Sequence, residues 1–303
     1  MATFYTYKAR NIRRTWYLMT GFFLMVIGVG FVVGQLMHAP AILPIAILFA
    51  VGMNVYSYWF SDTVVIKLTG AVPADPILHR DLIRTVENLS ITAGLPMPKV
   101  YVVNDPAPNA FATGRNAEHS AVCATTGLLA ILNQTELEGV IAHELSHIGN
   151  RDMLVSTVAV VLAGFLSMLA DLFLRMSSFG GGRDDRDNRL GGVLFVLAIV
   201  GVLLAPIAAQ MIQLAISRKR EFLADASGAQ LTRYPDGLAS ALMKISLNAQ
   251  PMVSANHATS HLFIADPFGK QGGIWQKLSG LFATHPPVAE RIKALHDMDM
   301  NHS

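Results

Sequence analysis

The chain has one cysteine, Cys123, among 303 residues. That excludes an intramolecular disulfide framework and a cysteine-rich metal site, and it suits a reducing compartment. Charge is scarce too: Asp, Glu, Lys and Arg make up 15% of the residues against 52% hydrophobic ones, well outside the balance of soluble domains. The net charge is only +2, and no basic patch carries interleaved aromatics, which argues against nucleic acid as a partner. No internal repeat is visible.

Long hydrophobic runs are what the chain does have. Residues 15–37, 39–61, 153–174 and 190–217 are each long enough to cross a hydrocarbon core as a helix, which needs roughly 20 apolar residues. The first, second and fourth hold no charged residue; the third holds Asp171, read as the end of the span or a helix partner rather than a proton path. The first run is followed by the small residues of "HAPA", but it exceeds the roughly 7–15 residues of a signal-peptide core and reads as a retained anchor. Pro206 gives the fourth run a point at which to kink.

Basic residues set the orientation. Lys8, Arg10, Arg13 and Arg14 precede the first run, and the connection to the second has no basic Lys or Arg, so the N-terminus is expected in the cytoplasm. Pairs of crossings then return the polar tracts 62–152 and 218–303 to the same side, with the Gly/Asp/Arg-rich "SSFGGGRDDRDNRLGG" as the turn of the second hairpin. The organisation predicted is a tail and membrane hairpin over 1–61, a first polar part over 62–152, a second membrane hairpin over 153–217 and a second polar part over 218–303. The fold class is an α+β membrane protein, mainly helical, with about four membrane helices and a small β-sheet. Leu82, Ile83, Val86 and Leu89 predict a helix ending near Gly94. "KVYVVND" reads as a strand, and "NAFATG" with "HSAVCATTG" as a second strand or hairpin. Thr135 and Glu138 then form a capping-box start for a helix with Leu137, Ile141, Leu145 and Ile148 on one stripe.

That helix carries "HELSH". Residues four apart project from one face, so His143 and His147 are placed to grip one metal ion, with Glu144 able to take a proton from an adjacent water. Zinc suits the donors and brings the pKa of its water to about 7. Such an ion needs a third protein ligand. "SRKREFLADASG" offers Glu221, with Asp225 one turn on. Taken alone these are an acidic pair balancing Arg218, Lys219 and Arg220. The 73 residues between His147 and Glu221, however, are mostly an out-and-back hairpin, whose ends surface about one helix-packing distance apart, roughly 8–10 Å. If the helices continue past the membrane, His147 and Glu221 meet around one ion, and Asp225 can orient a ligand histidine through its second nitrogen. His257 and His261 also stand four apart but lack a neighbouring carboxylate and read as structural. His285, before two prolines, and Arg291 are otherwise a loop residue and a solvated helix charge; in a zinc hydrolase they are the best oxyanion donors of the second tract.

Taken together, HELSH at 143–147, SRKREFLADA at 217–226, NAFATG at 109–114 and THPPVAERI at 284–292 resemble the HtpX-type membrane metalloproteases, relatives of the CAAX prenyl proteases among the gluzincins. The resemblance runs through nearly the whole chain. It implies a zincin-like catalytic domain facing the cytoplasm from a bacterial inner membrane and a zinc endopeptidase, with one Zn2+ per chain, that removes misfolded or damaged membrane proteins in stress and quality control. It implies His143, His147 and Glu221 as ligands, Glu144 as base and proton shuttle, Asp225 at the family's ExxxD position, and His285 and Arg291 beside the active site. Asn109, Ala110, Phe111, Ala112, Thr113 and Gly114 resemble the edge strand that pairs with substrate backbone, a strand-addition mode; the plain alternative is an ordinary sheet edge. Unfolded membrane-protein clients, the lipid bilayer and other quality-control proteases are the partners implied.

Two rivals stand beside this reading. A CAAX-type processing protease requires a lipidated C-terminus, and a zinc-binding scaffold or holdase requires His143 but not Glu144. A transporter fits less well, because the spans hold only Asp171 and no paired intramembrane charges.

Overall fold

The computed structural model describes residues 4–179, 199–200, 202–204, 206–207, 210, 217–253, 259, 262–265, 267 and 286–300. Among them, three helices are long and apolar enough to span a membrane, over Ala9–Leu36, Ile42–Thr69 and Asp152–Asp171. They belong to α1 (Phe4–Leu36), α2 (Ile42–Thr69) and α6 (Asp152–Phe179). Most of the expected fourth span, 190–217, lies outside the described residues, as does the linker from residue 180. The three helices share one apolar core, in which Phe22, Ala50, Val155, Leu162 and Leu166 are buried. α6 is the inner one: 67% of its apolar window is buried, against 22% and 11% for the first two. The outward residues of α1 and α2, such as Leu24, Phe31, Ile45 and Leu48, are exposed, which a hydrocarbon solvent accepts. Asp171 is exposed at the end of its span and pairs with Arg175 at 2.7 Å, as its plain reading expected.

A second core holds the polar tracts together, drawn from both sides of the α6 insertion. Leu82, Val102, Val122, Ile141 and Leu145 of the first tract pack with Leu238, Leu242 and Leu295 of the second. α3 (Arg80–Ala93) ends at Gly94, whose φ of 65° is the left-handed stop that glycine supplies. β1 (Val72–Pro73), β2 (Lys99–Val103), β3 (Ala110–Asn116) and β4 (His119–Thr125) form a mixed sheet in the order β1-β2-β4-β3. β3 and β4 are the expected hairpin, antiparallel with Phe111 opposite Cys123, and β3 takes the edge. A short α4 (Thr126–Ile131) leads into α5 (Gln134–Asn150), the helix carrying HELSH.

The start of α5 differs from expectation by two residues. Its capping box is Asn133 with Glu136, not Thr135 with Glu138. Both pairs in "NQTELE" have the spacing, and packing chooses between them: Glu136 is buried and also receives Ser240 Oγ and Lys244 Nζ, each at 2.7 Å. Burial alone raises the Glu136 pKa, but the hydrogen bonds from Lys244, Ser240 and the Asn133 N–H hold it below its ordinary value. The helix does not run on into the membrane either. Arg151, at φ 56°, ends α5 in a left-handed residue, and α6 begins at Asp152.

After the membrane insertion come α7 (Arg218–Thr232), α8 (Pro235–Leu247) and α9 (Val288–Met300). α8 lies close on α5 because Gly139 has no side chain; a Cβ there would stand 2.6 Å from Leu238 N and 2.8 Å from its Cα. Gly139→Ala therefore forces backbone apart and is expected to cost about 1–3 kcal/mol of stability. Gly164→Ala, whose Cβ meets nothing within 4 Å, is the contrast. Melting curves of the two variants decide: a Gly139→Ala protein that melts with the wild type removes the close-packing account.

Candidate metal centre

Two helices build the site. α5 turns His143 and His147 to the site, with Glu144 between them and the stripe of Leu137, Ile141, Leu145 and Ile148 that enters the core. α7 crosses it at Gly228, where a Cβ would lie only 3.0 Å from His143 N, so this glycine permits the approach that brings Glu221 and Asp225 to the histidines.

His143 Nε2 and His147 Nε2 are 3.2 Å apart, and Glu221 offers Oε2 at 3.9 Å from the first and Oε1 at 3.7 Å from the second. One ligand atom from each residue falls within 4.8 Å of the others, as a group able to hold a metal ion. Bonds of about 2.1 Å in a tetrahedral site put ligand atoms about 3.4 Å apart. The observed separations bracket that spacing, so two imidazoles and a carboxylate fit a metal ion with at most small side-chain adjustment.

Each imidazole has its own carboxylate behind it. Asp225 Oδ1 stands 2.9 Å from His143 Nδ1, somewhat off the line of a straight hydrogen bond. Asp152 Oδ2 stands 3.2 Å from His147 Nδ1. Burial is the main influence on His143 and lowers its pKa to about 4 against the pull of Asp225, so the ring is neutral and free to donate a lone pair. His147 goes the other way. Burial would lower it, but the Asp152 hydrogen bond and the charges of Glu221, Asp152 and Glu144 outweigh burial and raise it to about 9. Glu144 is pushed up to about 7, chiefly by burial, while the Ala112 N–H donates to it from β3. A carboxyl poised near neutrality suits both taking and returning a proton.

Arg291 is in a different place from that expected of an oxyanion donor. It is fully buried, with Nε and Nη2 on the two oxygens of Asp225 at 2.8 and 2.7 Å and Nη1 on the Ile264 carbonyl at 3.2 Å. Its donors are committed to Asp225 and Ile264, so it positions Asp225 rather than facing a reacting group. The pair holds the Asp225 carboxyl down at about 2 in spite of burial. His285, His257 and His261 lie outside the described residues.

The 109–114 segment lies at the edge of the sheet in hydrogen bonding but is buried along its length. Asn109 precedes β3 and its side chain clamps Ala265, accepting from the N–H at 3.2 Å and donating to the carbonyl at 3.0 Å. The Ile264 N–H takes the Ala110 carbonyl at 2.9 Å, and Phe263 packs edge-on against Phe111. Thr113 meets Thr157 of α6 at 3.2 Å. The Ala112 N–H, between these contacts on β3, is the one that reaches Glu144. Asp152 was missed by motif reasoning; its signal is an acidic residue five positions after the second histidine, immediately beyond a helix break.

Comparison with known proteins agrees with this geometry. The pattern of Peptidase family M48 matches residues 76–299, which hold both helices of the site. A Protease HtpX homolog from Caldanaerobacter subterraneus is 45% identical over 98% of each chain, and one from Tropheryma whipplei (strain Twist) is 44% identical over 97% of this chain and 98% of its own. In fold, the chain is similar to the crystal structure of S. mikatae Ste24p, with a TM-score of 0.51 and 17% identity, over 95% of this chain and 66% of that one. The HELSH helix, the carboxylate helix after the apolar insertion, the family pattern and the full-length likeness to the HtpX homologs agree, and the chain belongs to Peptidase family M48 as an HtpX-type membrane metalloprotease.

Proposed function

We propose that this metalloprotease is a zinc endopeptidase cutting unfolded stretches of damaged membrane proteins at the cytoplasmic face of a bacterial inner membrane. The observation that carries the reading is the convergence of His143, His147 and Glu221 beside a buried Glu144 whose carboxyl sits near neutrality. Two histidines and a glutamate are a catalytic zinc set with a fourth position left for water or substrate. The basic residues Arg10, Arg13 and Arg14, just ahead of the uncharged run 15–37 at the start of the first span, support the cytoplasmic side.

In this reading His143, His147 and Glu221 hold the ion, which when bound supplies a Lewis acid for the scissile carbonyl and acidifies water. Glu144 takes the proton of the attacking water and returns it to the nitrogen of the leaving amine. Asp225, backed by Arg291, keeps His143 in the tautomer that leaves Nε2 free. Substrate backbone pairs along Ala112 to Gly114, where strand addition grips a peptide with little side-chain selectivity.

The test uses detergent-solubilised full-length protein. Chelation is expected to abolish cleavage of an unfolded membrane-protein substrate and zinc to restore it, with about one ion per chain regained. Cleavage confined to prenylated peptides would favour the processing rival, and zinc binding without cleavage of either substrate the scaffold.

A further inference from the structure

The support of His147 reaches into the membrane part of the chain. Asp152 puts Oδ2 on His147 Nδ1, and its other oxygen receives the side-chain amide of Asn11, in α1. The same amide nitrogen donates to the Asn150 carbonyl at 3.1 Å, across the break between α5 and α6. Arg220, next to the ligand Glu221, places Nε 3.5 Å from Asp152 Oδ1 and donates Nη1 to Asn11 Oδ1 at 3.4 Å. Asn11, Asp152 and Arg220 are 2%, 4% and 6% exposed. A buried amide is costly unless its donor and acceptor are both used. For anchoring alone, an apolar side chain at position 11 would serve better.

We propose that Asn11 and Asp152 are positioning residues of the metal centre, and that α1 is thereby part of the site rather than only an anchor. The two ligand histidines then have parallel supports. Behind His143, Asp225 is gripped by two donors of Arg291. Behind His147, among the described residues, Asp152 has the longer contact with Arg220, and the Asn11 amide completes its shell. By holding Asp152 in place, Asn11 fixes the ring plane of His147 and directs its Nε2 toward Glu221. The inference rests on the metal-centre reading above and assigns residues that no part of the family motifs contains.

The measurement is the apparent zinc affinity of the full chain in detergent, by competition with a chromophoric chelator, at a temperature where circular dichroism shows each variant folded. Partners in the shell around metal ligands typically contribute 10–100-fold in affinity. Asp152→Asn is expected to bind zinc about 10–100-fold more weakly, Asn11→Leu and the milder Asn11→Ser about tenfold, and Asp152→Glu to recover part of the loss. Arg13→Ala, an exposed neighbour on α1, serves as control and is expected to match the wild type. The visible spectrum of the cobalt-loaded protein should change in Asn11→Leu if His147 is reoriented. A lower metal-free Tm with wild-type zinc affinity and cobalt spectrum in the Asn11 variants means plain helix packing and overturns the inference alone. A wild type that takes up no zinc overturns the proposed function and this inference with it.

Discussion

A Glu144→Gln protein is expected to retain its zinc and to cleave an unfolded substrate about 10²–10⁴-fold more slowly than the wild type, the range over which a positioned general base contributes. The replacement keeps the volume of the side chain and a carbonyl oxygen for the Ala112 N–H, so the buried pocket is disturbed little. It removes only the ability to take a proton. Glu144 is not among the three ligand residues, so metal content should not follow activity down. The pH dependence has a definite sign. Burial places the Glu144 carboxyl at about 7, and a cation bound beside it lowers that value, because opposite charge favours the carboxylate. Activity should therefore fall below neutrality as this base is protonated, and the residual activity of the Gln variant should lack that acidic limb. Cleavage by Glu144→Gln within about tenfold of the wild type, at equal zinc content, would sink the assignment of the base.

Replacing Arg291 by Met should have the largest effect on stability. The wild-type pair is buried on both sides, with Arg291 0% and Asp225 1% exposed. Removing one partner of such a pair leaves an uncompensated charge and typically costs about 3–5 kcal/mol. Asp225 also shifts in a predictable direction. Its folded-state pKa of about 2 lies below the ordinary 3.8, so ionised Asp225 contributes stability fully present above pH 3.8 and lost as pH falls through about 2. Without the guanidinium the carboxyl moves up, and the acid unfolding edge of the variant should move to higher pH. Arg291→Lys keeps a charge but not the two-pronged grip, and should fall between. Because Asp225 backs His143, zinc affinity should fall as well. Thermal and acid unfolding curves of the three proteins are the check; a Met variant melting within about 2 °C of the wild type would mean the pair adds almost nothing.

Much of the site was legible because its parts are local. HELSH puts two candidate ligands and the proposed base on one helix through spacing alone, and Gly94 and the β3–β4 hairpin follow from equally local turn and strand chemistry. The third candidate ligand was also within reach, since an apolar run read as an out-and-back hairpin is expected to bring its two ends together. Choices between equivalent local patterns were not legible. Asn133 and Thr135 both offer a capping box, and only the docking of Ser240 and Lys244 on Glu136 selects the first. Arg291 looked like a donor for the reaction because its sequence neighbourhood says nothing about Asp225, 66 positions earlier.

By itself, then, the sequence determined the candidates for the chemistry of this protein: the donor set, the proposed base, the apolar spans and the family they belong to. Tertiary structure decided which groups stand behind those residues. Arg291 is turned inward onto Asp225, Asp152 rather than a residue of the motif supports His147, and Asn11 reaches the centre from α1. The physical reason is the range of the forces involved. Helical periodicity and ligand spacing act over one or two turns, whereas a buried charge or amide must find its partner wherever packing brings one, and that position is set only when all the helices are in place.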